Sequence, residues 1–343
     1  KALNKYGVFT ERKNTTEFLE IAREIKFRII QDLKLQSVVV VHYTNKPDHG
    51  DLDLLLKIDH KDFDLRTYIE ETFKPQVIHY NGGVYSFDYK NFQIDFIPIR
   101  ESKWGVAQIY YSYDPLGNIM GKTFHKFGLS YGWDGLFYKF RNFNGRLSQN
   151  ILLTTDAERI FEFGGYDYRR YLDGFDELEE IFEFAINSEY FDCEIFQMKN
   201  LKSIDKKRNR KRGSYHLFLK YLEDNDIDQR FPFIEDKSVY LPIIEAAFPE
   251  VGFMEKLELL RKLDESNKLM AEKFNGHLIM EWIPDLYGKE LGEAMKKFKS
   301  HLGDSFKETV LSASIDELRE LFLSVYAVSY THLTLPTTLP RCR

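Results

Sequence analysis

The sequence predicts an α+β chain, a small mixed β-sheet head followed by a mainly α-helical body. Three observations carry this. Two short apolar runs, His49–Ile58 (HGDLDLLLKI) and Phe92–Ile99 (FQIDFIPI), read as strands. Helical spacing of apolar residues flanks them, from Phe18 to Leu33 and from Phe63 to Phe73. Residues 156 to 326 then read almost throughout as helix. The 343 residues, 43% hydrophobic and 15% aromatic, suffice for a sizeable core. The expected division is a head over 1–150, a helical body over 151–327 and a tail over 328–343.

In order, Thr15 or Thr16 caps a first helix whose Phe18, Ile21, Ala22, Ile25, Ile29 and Ile30 share a face. Ser37–His42 (SVVVVH) is too β-branched and too short for a helix and reads as a buried strand. A loop to Gly50 leads into the strand from Asp51. After the helix to Phe73, Val84–Tyr89 and Phe92–Ile99 form a hairpin across Lys90-Asn91, with Gly82-Gly83 a turn ahead of it. Trp104–Tyr113 is helical. The body offers helices over Asp156–Phe163, Phe175–Ser188, Ser214–Glu223, Leu241–Ala247, Phe253–Phe274 and Gly288–Lys299.

The chain opens at Lys1 rather than at methionine and reads as a fragment or processed form. From Val328 (VSYTHLTLPTTLPRCR) the helical pattern breaks and the composition turns to Thr, Pro and Leu, like translated adapter sequence; it is set aside from fold reasoning. Net charge is −6, so nucleic-acid contact has to come from local patches. Two cysteines, Cys193 and Cys342, leave no disulfide framework and no cysteine zinc site. No apolar run is long enough for a membrane span and no secretory signal is visible, so no membrane partner and a reducing, cytoplasmic setting are expected.

The chemistry concentrates on three carboxylates. Asp51 and Asp53 point to one face of their strand while Leu52, Leu54 and Leu56 point to the other. Asp95 interrupts Phe92, Ile94, Phe96 and Ile97 where an apolar residue is expected. Like charges side by side on apolar strands repel. A hard divalent cation relieves that cost, and two such ions suit in-line phosphoryl transfer. A solvated acidic strand edge is the alternative.

The helix–strand–strand–helix–strand–strand order, with Asp51-x-Asp53 on the second strand and Asp95 on the fourth, resembles the nucleotidyltransferase superfamily over residues 15 to 100. That group contains DNA polymerase β, poly(A) polymerases and CCA-adding enzymes. The resemblance implies two Mg²⁺ ions, with Mn²⁺ as the alternative. Asp51 and Asp53 would be ligands to both ions, and Asp95 a ligand to one and a helper in activating the attacking hydroxyl. Where the family has small residues before the acidic strand, this chain has His42-Tyr43-Thr44-Asn45. Thr44, Asn45, Lys46 and Gly50 are therefore the candidate nucleotide contacts there. Beyond the hairpin, residues 115 to 150 carry a net +4, and Lys122, Lys126 or Arg141 is expected to meet the triphosphate. The Arg-Arg-Asp-Phe-Thr run of bacterial CCA-adding enzymes is absent.

Lys199–Lys220 carries a net +8 in an acidic chain, the charge concentration expected against a phosphate backbone. Lys206, Lys207, Arg208, Arg210, Lys211 and Arg212 are the candidate RNA contacts, with Tyr215 or His216 stacking on a base. Phe274–Lys299, with its Gly-Lys-Glu-Leu-Gly segment, resembles the body of CCA-adding enzymes and bacterial poly(A) polymerases. Gly288 and Lys289 there could meet a phosphate at a helix start. The expected function is template-independent addition of nucleotides from NTPs to an RNA 3′ end, of tRNA or another RNA. Two alternatives stand beside it: transfer to a small molecule or protein, and a non-catalytic nucleic-acid-binding protein on a degenerate head.

Overall fold

The structure is a computed structural model that describes residues 1–59 and 64–331. It combines helices with mixed and antiparallel sheets, as an α+β chain should. Two compact units are present among the described residues: 1–139 with 149–254, and 140–148 with 255–331. The boundary expected at 150–151 thus falls inside the first unit.

The first unit begins with a two-residue ladder, β1 (Lys13–Asn14), leading into α1 (Thr15–Arg28). Asn14 caps this helix in place of the expected threonines. Its side chain accepts from the Glu17 amide at 3.0 Å, and the Glu17 carboxylate accepts from the Asn14 amide at 3.3 Å, a reciprocal capping box. One π turn, Ile29–Leu33, closes the helix. β2 (Ser37–Val39) is shorter than the expected strand. β3 (Asp48–His49) pairs with β1 and hands the chain to β4 (Asp51–Lys57). α2 (Leu65–Phe73) is capped by Asp64; its expected first residue, Phe63, lies outside the described residues. β5 (Ile78–Asn81) was not expected. Gly82-Gly83 turns it into β6 (Val84–Tyr89), which forms the expected hairpin with β7 (Phe92–Ile99).

These strands form one sheet in the order β2-β4-β7-β6-β5. Only β4 and β7 run parallel, and their register sets Asp51 opposite Gln93 and Asp53 opposite Asp95. Both faces of the C-terminal half of β4 are covered, so the strand is continuously apolar only from Leu54 to Leu56. Leu52, Leu54, Leu56, Ile94 and Phe96 pack under Phe18, Ile21 and Ile25 of α1 and Ile69 and Phe73 of α2. On the other face Leu55, Ile97 and Ile99 meet Trp104 and Ala107 of α3 (Trp104–Tyr111).

Next come α4 (Leu116–Lys126) and a three-stranded sheet of β8 (Leu129–Gly132), β9 (Gly135–Arg141) and β10 (Leu147–Thr154). The sequence marks this stretch only by its net charge of +4 over residues 115 to 150, and its strands are not expected from it. The rest of the first unit is helical: α5 (Ala157–Phe163), α6 (Tyr168–Leu172), α7 (Leu178–Ile186), α8 (Ser203–Asn209), α9 (Gly213–Asp224) and α10 (Leu241–Ala247). α11 (Phe253–Lys273) leads into the second unit, which holds α12 (Gly276–Trp282), α13 (Gly288–Leu302), α14 (Phe306–Ser312) and α15 (Ile315–Thr331). Its core is Phe274, Ile279, Phe298, Val310, Leu318 and Phe322. α15 continues to Thr331, so the helical pattern does not break at Val328. No helix of the described residues is long and apolar enough to cross a membrane.

Candidate active site

Alternation along β4 and β7 divides one sheet face into two halves. Asp51 and Asp53 on β4, with Gln93 and Asp95 on β7, occupy its N-terminal half. Leu55, Ile97 and Ile99 fill the C-terminal half beneath α3. The parallel register puts Asp53 directly beside Asp95, across an inter-strand gap of about 4.8 Å. The Gln93 amide donates to both oxygens of Asp95, at 3.0 and 3.2 Å.

Partial burial is the first cause raising all three carboxyl pKa values, and repulsion by neighbouring carboxylates adds to it at Asp53 and Asp95. Asp53 is pushed well above the usual carboxylate range, with Asp51, Asp95 and Asp114 as repelling neighbours. Asp95 is raised to about 6 by burial and then by Asp51. Asp51 is raised by burial, which the nearby Lys46 and Arg12 partly offset. None of the three forms an ion pair among the described residues. Asp88, on β6, is a contrast. Its Oδ1 accepts from the backbone amides of Gln76 and Val77 at 3.0 and 3.2 Å, which makes it a structural carboxylate.

Lys46 is the foremost of the cations that act on this face. Its pKa is lowered by burial and raised by Asp51 and Asp114. It lies 3.2 Å from His42 Nδ1, and the Thr15 hydroxyl donates to its carbonyl at 2.5 Å. Beneath it His49 stacks on Phe18 at 3.8 Å. Burial and Lys46 push His42 down to about 3 and His49 down to about 4, so both imidazoles are neutral near pH 7. Arg12, which the sequence reading missed, holds Asp48 at 2.5 Å and lies electrostatically beside Asp51. Its guanidinium crosses Gly50 so closely that a Cβ there would sit 3.1 Å from Nη1.

Asp114 is the other residue that sequence reasoning missed. It lies two residues before the start of α4 and repels Asp53. The Ser214 hydroxyl donates to it at 2.5 Å. Arg212 is lowered by burial and by Arg208, and raised by Asp114. Lys122 is lowered by burial, relieved by Asp205 and lowered again by Arg208 and Arg212. The basic run and α4 therefore meet at the Asp114 end of the carboxylate face. Asp114 is separated by some 60 residues from Asp53 and 100 from Ser214, and no local pattern announces the contact. Tyr111 of α3 faces the same carboxylates, its pKa raised by burial, Tyr110 and Asp53.

Thr44, Asn45 and Tyr215 are engaged within the fold, and the other expected contact residues are placed around it. The amides of Thr44 and Asn45 donate to the carbonyls of Phe175 and Asp176, each at 2.9 Å. The Thr44 hydroxyl donates to Phe175 at 3.3 Å, and the Asn45 side chain to Glu177 at 2.6 Å. These groups clasp two segments of the fold and are not available as a phosphate cradle. Tyr215 is fully buried, and its hydroxyl donates to the Phe196 carbonyl at 2.6 Å, so it cannot stack on a base. Lys126 lies over the Phe233 ring at 5.9 Å, and its electrostatic neighbours are Lys237 and Asp192 rather than the three carboxylates. Lys206 donates to the Lys199 carbonyl at 3.0 Å. Lys207, Arg208, Arg210 and Lys211 are exposed. Arg141 donates to the Gly145 carbonyl at 3.1 Å within the β9–β10 turn of the second unit. Lys289, also in that unit, faces Glu293 at 3.7 Å on α13.

The donor set of Asp51, Asp53 and Asp95 fits a hard divalent cation: all-oxygen, anionic and without an ion-pair partner. As the side chains stand, no group of three His, Cys, Asp or Glu among the described residues is close enough to cage a metal. No protein-family model matches the sequence, and no curated protein is significantly similar to it.

Proposed function

We propose that the chain is a metal-dependent nucleotidyltransferase that extends an RNA 3′ end with nucleotides from NTPs. The observation that carries this is the register pairing of Asp53 with Asp95, with Asp51 on the same face and all three carboxyls repelling one another. Such a site is costly to the fold unless cations occupy it. Asp51 and Asp53 would hold two Mg²⁺ or Mn²⁺ ions, with Asp95 on one of them. When bound there, such ions lower the pKa of an acceptor hydroxyl and take up charge on departing pyrophosphate.

The protein's own groups would divide the remaining work. Gln93 fixes the orientation of Asp95, which would accept the hydroxyl proton. Lys46 and Arg12 balance Asp51 and would bring positive charge to a substrate phosphate. Arg212 and Lys122 supply cations at the Asp114 end, where a polyanionic substrate would enter. Incubation with labelled NTPs, Mg²⁺ and a short RNA tests the reading. Extension of the RNA is expected, and no extension with any of the four nucleotides would overturn it. The clasped Thr44–Asn45 amides favour a second reading, a non-catalytic nucleic-acid-binding protein, which that null result would support.

A further inference from the structure

α4 runs away from the carboxylates, and cations follow it. Its N-terminal end adjoins Asp114, the neighbour of Asp53, and it is 11 residues long, so its axis covers about 16 Å. Lys122 and Lys126 lie one turn apart along it, about 6 Å, comparable to one nucleotide of an extended strand. Each is laid over an aromatic ring, Lys122 over Tyr215 at 5.4 Å and Lys126 over Phe233 at 5.9 Å. At the far end Lys237 donates to the His125 carbonyl, and its stem lies 3.5 Å from where a Cβ on Gly128 would be.

Acidic neighbours are near the row, Asp205 by Lys122, Asp192 by Lys126 and Asp114 by Arg212, but none closes on it as an ion pair. Among the described residues Lys122, Lys126, Lys202, Arg208, Arg212 and Lys237 form no ion pair, whereas nearby Lys199 and Arg230 both pair with Glu194. Lys237 has its pKa lowered by burial, then by Lys202 and Lys126. Lys122 is likewise lowered by burial and by Arg208 and Arg212, with Asp205 opposing. Holding like charges together in a chain of net charge −6 is unfavourable unless a polyanion lies along them.

We propose that α4 and the segments against it form a track for single-stranded nucleic acid. In it Arg212 and Lys122 hold the phosphates nearest the carboxylates, and Lys126, Lys202 and Lys237 hold those upstream. The track rests on the transfer reading for its polarity: the 3′ end lies at Asp53 and Asp95. For its existence it rests only on the cation row. Affinity comes from phosphates, so the track is indifferent to base sequence.

The test is fluorescence anisotropy with a labelled ten-nucleotide single-stranded RNA between about 50 and 200 mM salt. The subject is the full chain and its Lys126→Ala/Lys202→Ala/Lys237→Ala variant. Three lost phosphate contacts should lower the slope of log K against log salt by about 2, and weaken binding about a hundredfold at 0.1 M. The matching triple Arg variant should restore both, and thermal unfolding of each variant shows whether it is folded. An unchanged slope in the folded alanine variant overturns the track. So does a loss of NTP affinity with RNA affinity intact, which would assign these cations to a nucleotide's phosphates. Extension of a dinucleotide acceptor by the unaltered chain tests the transfer reading separately, since such an acceptor is too short to reach Lys126.

Discussion

Replacing Asp95 by Asn should stabilise the metal-free protein at neutral pH and destabilise it in acid. The ordinary carboxyl value of 3.8 becomes about 6 in the fold, chiefly through burial and then through Asp51. A carboxyl whose folded pKa is raised binds its proton more tightly when folded. Stability therefore falls as pH climbs from about 4 to about 6 and stays low above that. The full shift corresponds to about 3 kcal/mol. Asn lacks the charge but turns an NH₂ toward one of the two Gln93 contacts, at a cost of about 1 kcal/mol. The variant should thus gain about 2 kcal/mol at pH 8 and lose about 1 kcal/mol below pH 4, crossing the parent near pH 4.5. In thermal unfolding the gain at pH 8 amounts to about 4–8 °C. Mg²⁺ should stabilise the parent at pH 8 and narrow the gap, because ligand that binds the folded state adds to its stability. A variant less stable than the parent at every pH would refute the claim that Asp95 is held against repulsion.

Tyr215→Phe removes the bond to the Phe196 carbonyl and should cost about 1–2 kcal/mol in a denaturant titration, leaving RNA affinity unchanged. Weaker RNA binding by the folded variant would return Tyr215 to the interface. Gly117→Ala places a methyl 2.6 Å from the Tyr110 carbonyl, where α4 closes on α3. It should cost about 1–3 kcal/mol, read in the same titration; an unchanged midpoint would mean that this close approach is not maintained.

The strands that carry the site were legible because alternation and β-branched or aromatic content are local properties. β4, β6 and β7 fall where the sequence puts them, and the shared face of Asp51 and Asp53 follows from period two alone. That β4 and β7 lie parallel and in register is a long-range pairing that only the folded sheet decides. β8 to β10 were missed because six glycines and a net charge of +4 over residues 115–150 obscured an alternation present in Leu129 and Tyr131. Tyr215 was misjudged from its place beside the basic run. Its spacing with Phe218 and Leu222 marks the buried stripe of α9, and that signal was available. Asp114 and Arg12 reach the site through contacts between distant segments, which no local pattern encodes.

The central claim is that Asp51, Asp53 and Asp95 work as one metal-dependent unit. Its most direct measurement is extension of a 5′-labelled RNA across an Mg²⁺ titration, by the parent and by Asp51→Asn, Asp53→Asn and Asp95→Asn, each first shown to be folded. Extension that depends on Mg²⁺ in the parent and is abolished in all three variants is the expected result. A folded Asp53→Asn variant that extends RNA as fast as the parent would contradict it.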